Sequence, residues 1–209
     1  MKIKNFISII AIALLAILVG CKKENVENPI IPDTNVVKPQ EIVQQAINLG
    51  STSDFVILAG SLISNVPTSA ITGNIGLSPA AGSMITGFGL EEITGTTYTV
   101  DASGPANSVT DATGLTAAKG DLTVAYFDAA GRTSDDIVLL AGNIGGLTLV
   151  PGLYKSSGSI EISSGDLTFD AKGNADEIFI IQIASTLTTT SGRKVILSGS
   201  ALASNIFGK

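Results

Sequence analysis

The chain has 209 residues, with 12 lysine and arginine against 18 aspartate and glutamate residues and no histidine, for a formal net charge of −6. An acidic chain without a basic stripe argues against nucleic acid as a partner, because phosphate binding draws on clustered lysine and arginine. Cys21 is the single cysteine, so no internal disulfide can form and packing must hold the fold.

Lys2 and Lys4 precede an apolar run from Phe6 to Val19. The run has the length of a signal-peptide core and falls short of the ~20 residues of an ordinary membrane span. It ends in Leu18-Val19-Gly20-Cys21, which resembles the lipobox of bacterial lipoproteins. That resemblance implies a signal peptide over residues 1–20 and lipid on Cys21, hence an exported lipoprotein anchored on the periplasmic or cell-surface side of a membrane. A lipidated cysteine carries more than one acyl chain, as firm attachment requires. The alternative is a plain secretion signal with an incidental cysteine. Residues 21–40 are polar and contain Pro29, Pro32 and Pro39, which reads as a flexible tether. Residues 41–209 are then most simply one domain. Without Lys2 and Lys4 the balance becomes 10 basic against 18 acidic residues.

Strand signals begin after Ser53. Phe55-Val56-Ile57-Leu58-Ala59-Gly60 is continuously apolar, as for a strand covered on both sides. Ser69 to Pro79 alternates and contains Gly73-Asn74-Ile75-Gly76, a tetrapeptide that returns at Gly142-Asn143-Ile144-Gly145. Glycines at such corners supply the positive φ of tight turns.

The one clear helix is expected at about Val109 to Ala130. Ser108 is a suitable N-cap, Asp111 stands three residues on in the manner of a capping box, and Gly131 closes the end. Leu115, Ala118, Leu122, Ala125, Tyr126 and Ala129 form an apolar stripe at helical spacing. Gly114 and Gly120 weaken the helix, so packing must hold it. Some ~20 residues at ~1.5 Å give ~30 Å, about six strand spacings of ~4.8 Å. Such a rod could lie along a whole stack of coils and cover Ile178 to Ile183, which is apolar on both sides apart from Gln182.

From Leu147 to Phe207, short apolar strands recur with a long period. Ile160 is followed by Leu187, Leu167 by Val195, and Ile178-Phe179 by Ile206-Phe207. Three unlike strands repeating together, without helices between them, point to a β-solenoid with three faces. Short alternating strands also build sandwiches; the period separates the two.

The blocks Asn48 to Leu90, Ala125 to Thr133, Ile144 to Lys155 and Ile178 to Leu187 closely resemble the microbial ice-binding (antifreeze) proteins, and the resemblance extends over Asn48 to Phe207. It implies a mainly β fold, a right-handed discontinuous β-solenoid of triangular section with one long α-helix packed alongside. It also implies adsorption to ice through one flat face poor in charge, by a monomer without cofactor. Family members continue past Asn205-Ile206-Phe207 with further coils. By that resemblance this chain is C-terminally truncated, with a gap expected beside its first coil.

Ice recognition needs a rigid array of hydroxyl and methyl groups. Outward residues repeat every ~6.6–6.8 Å along a strand and coils stack at ~4.8 Å, which gives a two-dimensional grid. With Leu187 pointing inward, Thr186, Thr188 and Thr190 point out, and Ser159, Glu161 and Ser163 match them one coil earlier. Glu161 is a poor ice contact. A second candidate face carries Thr148 and Thr168, followed by Ile196. The resemblance favours the first set. Outward threonines also occur simply because they fit a half-buried pleat.

Catalysis finds no support: there is no histidine and no Gly-x-Ser-x-Gly elbow, and strand geometry turns Arg193 and Lys194 apart. Asp135-Asp136 and Asp176-Glu177 lack the spacing of a calcium loop and read as turn and cap residues, so no metal is expected. The competing functional class is a cell-surface adhesion or matrix protein using the solenoid as a scaffold.

Overall fold

The computed structural model describes residues 35–89 and 91–209. The expected signal peptide, Cys21 and the first part of the expected tether lie outside the described residues. The described chain winds into two stacks of short parallel strands with one helix against both.

In the first stack, β1 (Phe55–Ala59), β2 (Ile63–Ser64) and β3 (Ile71–Thr72) make one coil. Next come β4 (Asn74–Leu77), β5 (Ile85–Thr86) and β6 (Ile93–Thr94), then β7 (Thr97–Thr99) and β8 (Val109–Thr110). Like strands stack on like: β1-β4-β7-β8, β2-β5 and β3-β6. Helix α1 (Ala112–Gly131) follows. The second stack contains β9 (Val138–Leu139), β10 (Gly142–Asn143) and β11 (Thr148–Leu149), followed by β12 (Gly152–Ser156), β13 (Ile160–Ile162) and β14 (Leu167–Asp170). It ends with β15 (Phe179–Ile183), β16 (Leu187–Thr189), β17 (Val195–Ser198) and β18 (Ile206–Gly208). Its sheets are β18-β15-β12-β9, β10-β13-β16 and β11-β14-β17. Three parallel sheets per stack, each strand pairing one coil on, are the solenoid that the period predicted.

The register explains that period. Ile160 pairs with Leu187 and Leu167 with Val195, as expected. The last pair differs by one residue: Phe179 opposes Ile206 and Ile180 opposes Phe207. A one-residue shift exchanges the faces. Ile206 therefore follows Phe179 into the interior, while Phe207 joins the cluster under the helix. The first stack has its own shorter repeat, in which Ile63 pairs with Ile85 and Ile71 with Ile93.

Helix α1 begins later than expected. Asp111, not Ser108, is the N-cap, its carboxylate accepting from the Gly114 N–H at 2.8 Å. Leu115, Ala118, Ala125 and Ala129 are buried, but Tyr126, placed in the stripe by spacing, is half exposed. Gly131 is the last helical residue, and the cap Arg132 is extended, so no left-handed glycine closes the helix. The termination comes instead from Gln182, whose Nε2 donates to the carbonyls of Ala129 and Arg132 at 2.9 Å each. That explains the one polar residue in Ile178 to Ile183: it serves carbonyls that a helix end leaves without partners.

Towards its N-terminus the helix lies over the first stack, where a Cβ on Gly76 would come within 2.6 Å of Leu115 and 2.8 Å of Phe55. At its centre, Asp121 Oδ2 accepts from the Ser51 N–H at 2.8 Å and the Ser51 hydroxyl at 2.6 Å, and Thr52 Oγ1 donates to the Ala118 carbonyl at 2.6 Å. At its far end, Ala125 and Ala129 pack with Ile47, Leu153, Ile178 and Ile180. The strand β1, expected to be covered on both sides, is covered only in part, with Val56 exposed.

Residues 35–40, expected in the tether, are docked. Val36 forms a parallel bridge with Thr148, the Val37 N–H donates to the Thr148 carbonyl at 3.0 Å, and Gln40 Oε1 accepts from the Leu153 N–H at 2.8 Å. The segment adds an edge to β11, and Val37 packs on the main apolar cluster.

Candidate functional site

A parallel ladder fixes the spacing of its outward side chains in both directions, so the question is which sheet presents a flat, uncharged row. On β13 and β16 the outward residues are Ser159, Glu161 and Ser163 against Thr186, Thr188 and Thr190. The structure brings them together on one sheet, with Glu161 in register with Thr188. Thr186 Oγ1 donates to Ser159 Oγ at 2.9 Å. Thr190 Oγ1 approaches the Ile162 and Ser163 carbonyls at 3.4 Å, and Ser163 Oγ donates to Glu161 Oε1 at 2.9 Å. Ser163 is half-buried; the other five are exposed. Four of the five hydroxyls, those of Ser159, Ser163, Thr186 and Thr190, are thus tied to neighbours on their own sheet before anything binds.

The other candidate pair, Thr148 and Thr168, stands in register on β11 and β14, with Val36 bridged to Thr148 on one side and Ile196 opposite Thr168 on the other. This central row is β-branched and uncharged. Its flanks are not. Asp170 sits two residues beyond Thr168, paired to Lys172 at 2.8 Å, and Asp166 and Arg193 approach at 3.9 Å two residues before it.

Two hydroxyl pairs escaped the sequence reading. Ser64 pairs with Thr86 and Thr72 with Thr94, all four exposed, on the second and third sheets of the first stack. Their signal is a repeated Ile-Ser/Thr dipeptide at the shorter period. Each coil visits the helix-side sheet first, then the sheet of β2 or β13, then that of β3 or β14. Ser64 and Thr86 therefore stand on the sheet that corresponds, in coil order, to that of β13 and β16.

The corners are held by side chains that bridge coils. Gly73 and Gly142, which open the two Gly-Asn-Ile-Gly motifs, have φ of 128° and 61°. Behind them Asn74 accepts from the Thr96 N–H at 3.0 Å and donates to the Asp54 carbonyl at 3.1 Å. Asn143 accepts from the Gly145 and Ser163 N–H groups and donates to Ser164. Asp136 accepts from the Glu41 and Ile42 N–H groups and from Ser134, and these bonds, the Ser134 hydroxyl foremost, hold its carboxyl below the ordinary range. Asn174 joins Asp176 and Glu177 in a turn. Of the two acidic pairs singled out by sequence, Asp136 thus holds backbone N–H groups at its corner and Glu177 accepts from the Asn174 amide. Among the described residues no cluster of metal-ligating side chains occurs, and no helix is long and apolar enough to cross a membrane.

Residues 57–209 match the family described as Ice-binding-like. An ice-binding protein of Flavobacterium frigoris (strain PS1) is 37% identical over 226 residues, covering 99% of this chain and 80% of its own length. One from a Colwellia species is 43% identical over 78% of this chain, which spans 63% of that relative. Among solved structures, an ice-binding protein from an Antarctic biological consortium superposes with a TM-score of 0.73 at 50% identity, over 82% of this chain and 72% of the other. An ice-binding protein from an Arctic yeast gives 0.68 at 40% identity, over 78% and 72%.

Proposed function

The chain belongs to the ice-binding-like family, and from that premise we propose that it adsorbs to ice through the outward side of the β10-β13-β16 sheet. The observation that carries this reading is the grid of six positions on β13 and β16, five of which bear hydroxyls, on an in-register ladder. Water bound over such a grid takes up spacings of ~4.8 Å by ~6.6–6.8 Å, set by the backbone. β-Branching restricts each threonine to few rotamers, which lowers the ordering cost of contact. The Thr186–Ser159 bond adds to that order. Ser64 and Thr86 form a further exposed hydroxyl pair on the second sheet of the first stack. The reading requires no nucleophile, metal or cofactor.

Thermal hysteresis and inhibition of ice recrystallisation test it. Thr188→Tyr raises a ring above the plane and is expected to lower both several-fold, with the folding midpoint unchanged. Thr168→Tyr on the third sheet is expected to leave them intact. The reverse result transfers the site to Thr148 and Thr168. Full activity in both variants, with binding to polysaccharide or cells instead, would favour an adhesion scaffold.

For location we propose export with residues 1–20 as the signal and lipid attachment at Cys21, the monomeric domain facing away from the membrane. Cys21→Ser should move the protein from the detergent-soluble membrane fraction to the aqueous one; retention in the membrane would refute the anchor.

A further inference from the structure

Within the hydroxyl grid, one position differs in kind. Glu161 stands in the middle column, with Asn143 and Thr188 as its register partners on either side. It is exposed, and none of the ion pairs among the described residues includes it. We propose that Glu161 is the residue that limits adsorption, holding a patch of liquid-like water over the centre of a face otherwise built for ice. This deepens the reading above and rests on it.

Three properties of the carboxylate act together. It accepts hydrogen bonds and donates none, whereas a hydroxyl does both. A lattice of water that meets alternating donors and acceptors elsewhere meets a block of acceptors here. Its full charge has no partner, so stripping its water costs far more than stripping water from a neutral hydroxyl. It also takes the Ser163 hydroxyl as a donor at 2.9 Å, so that this proton is engaged by the carboxylate rather than offered to water. One side chain therefore affects two of the six positions.

Glu161→Thr places a sixth hydroxyl opposite Thr188 and removes the charge, on a strand that threonine suits. The expected result is a several-fold increase in thermal hysteresis at equal concentration. Glu161→Gln, which keeps the length but removes the charge, should fall between the two. Activity of both variants at or below the original would overturn the proposal and make Glu161 a residue that positions Ser163. In the Thr188→Tyr background, Glu161→Thr should gain nothing; a gain there would mean that the carboxylate acts away from this face, and the proposal fails. If Thr188→Tyr alone keeps full activity, the face assignment has failed and this inference falls with it. Loss in Thr188→Tyr combined with no gain in Glu161→Thr sinks only the inference. Circular dichroism and the urea midpoint of each variant separate loss of fold from loss of adsorption.

Discussion

Asp121 projects from the middle of the helix and takes both the N–H and the hydroxyl of Ser51 on a single oxygen. These bonds, the hydroxyl first, hold its carboxyl below the ordinary aspartate range. Asp101 and Asp170 follow the same pattern at other corners, each accepting a side-chain and a backbone donor, while on Glu92 the backbone N–H groups of Gly89 and Ser69 act first. The sign is the same for all. A lowered folded pKa adds stability that is present above the ordinary carboxylate range and is lost as pH falls through the folded value. The urea midpoint should therefore be lower at pH 3 than at pH 7. Asp121→Asn should lower the midpoint at pH 7 and narrow that difference. An unchanged difference would show that Ser51 is held by something else.

At the level of elements, Gly76 shows how closely the helix meets the first stack. A methyl there would collide with Leu115, Phe55 and Leu58, all at 3.0 Å or less. Gly76→Ala should therefore destabilise the protein by about 1–3 kcal/mol by overpacking, measured by urea unfolding. A neutral result would mean that the helix shifts freely on its support. The helix also marks how far sequence could be read. Its buried small residues were legible from spacing, because Ala118, Ala125 and Ala129 recur as a contact stripe must. Tyr126 shares that spacing but lies at the edge of the stripe, about 100° around the helix from Ala125, where periodicity cannot tell edge from centre. The long repeat was legible because three strands shared it. The shorter repeat of the first stack was not, as its signal is two residues per strand. In the last strand the reading slipped by one, where Ile206 and Phe207 are both apolar and only tertiary packing decides which faces inward. For the candidate site, the threonines could be read from alternation, whereas the bonds from Thr186 and Ser163 to the neighbouring residues needed coordinates.

For the molecule as a whole, no strand of one stack pairs with a strand of the other among the described residues. The helix and the turn at Ser51 and Thr52 reach across instead. Burial falls off along each ladder of the second stack. Phe169 is 4% exposed and its register partner Leu197 is 43%; Ile160 is 2% and Leu187 is 51%. Truncation should follow that gradient. Phe169→Ala is expected to cost about 3–5 kcal/mol, as a buried aromatic does. Leu197→Ser should cost well under that, because little area leaves a dry environment; equal losses would place Leu197 in the core. The apolar interior is divided among three clusters, which bears on the temperature at which such a protein would serve. Apolar burial weakens on cooling, and domains are commonly most stable at about 10–20 °C. Beside a freezing front a domain of that common kind stands on the cold slope of its stability curve, where oily contacts lose their grip first. The amide and carboxylate clasps that join one coil to the next then carry a growing share of the structure, so that the corners keep the plane true as the water around it solidifies.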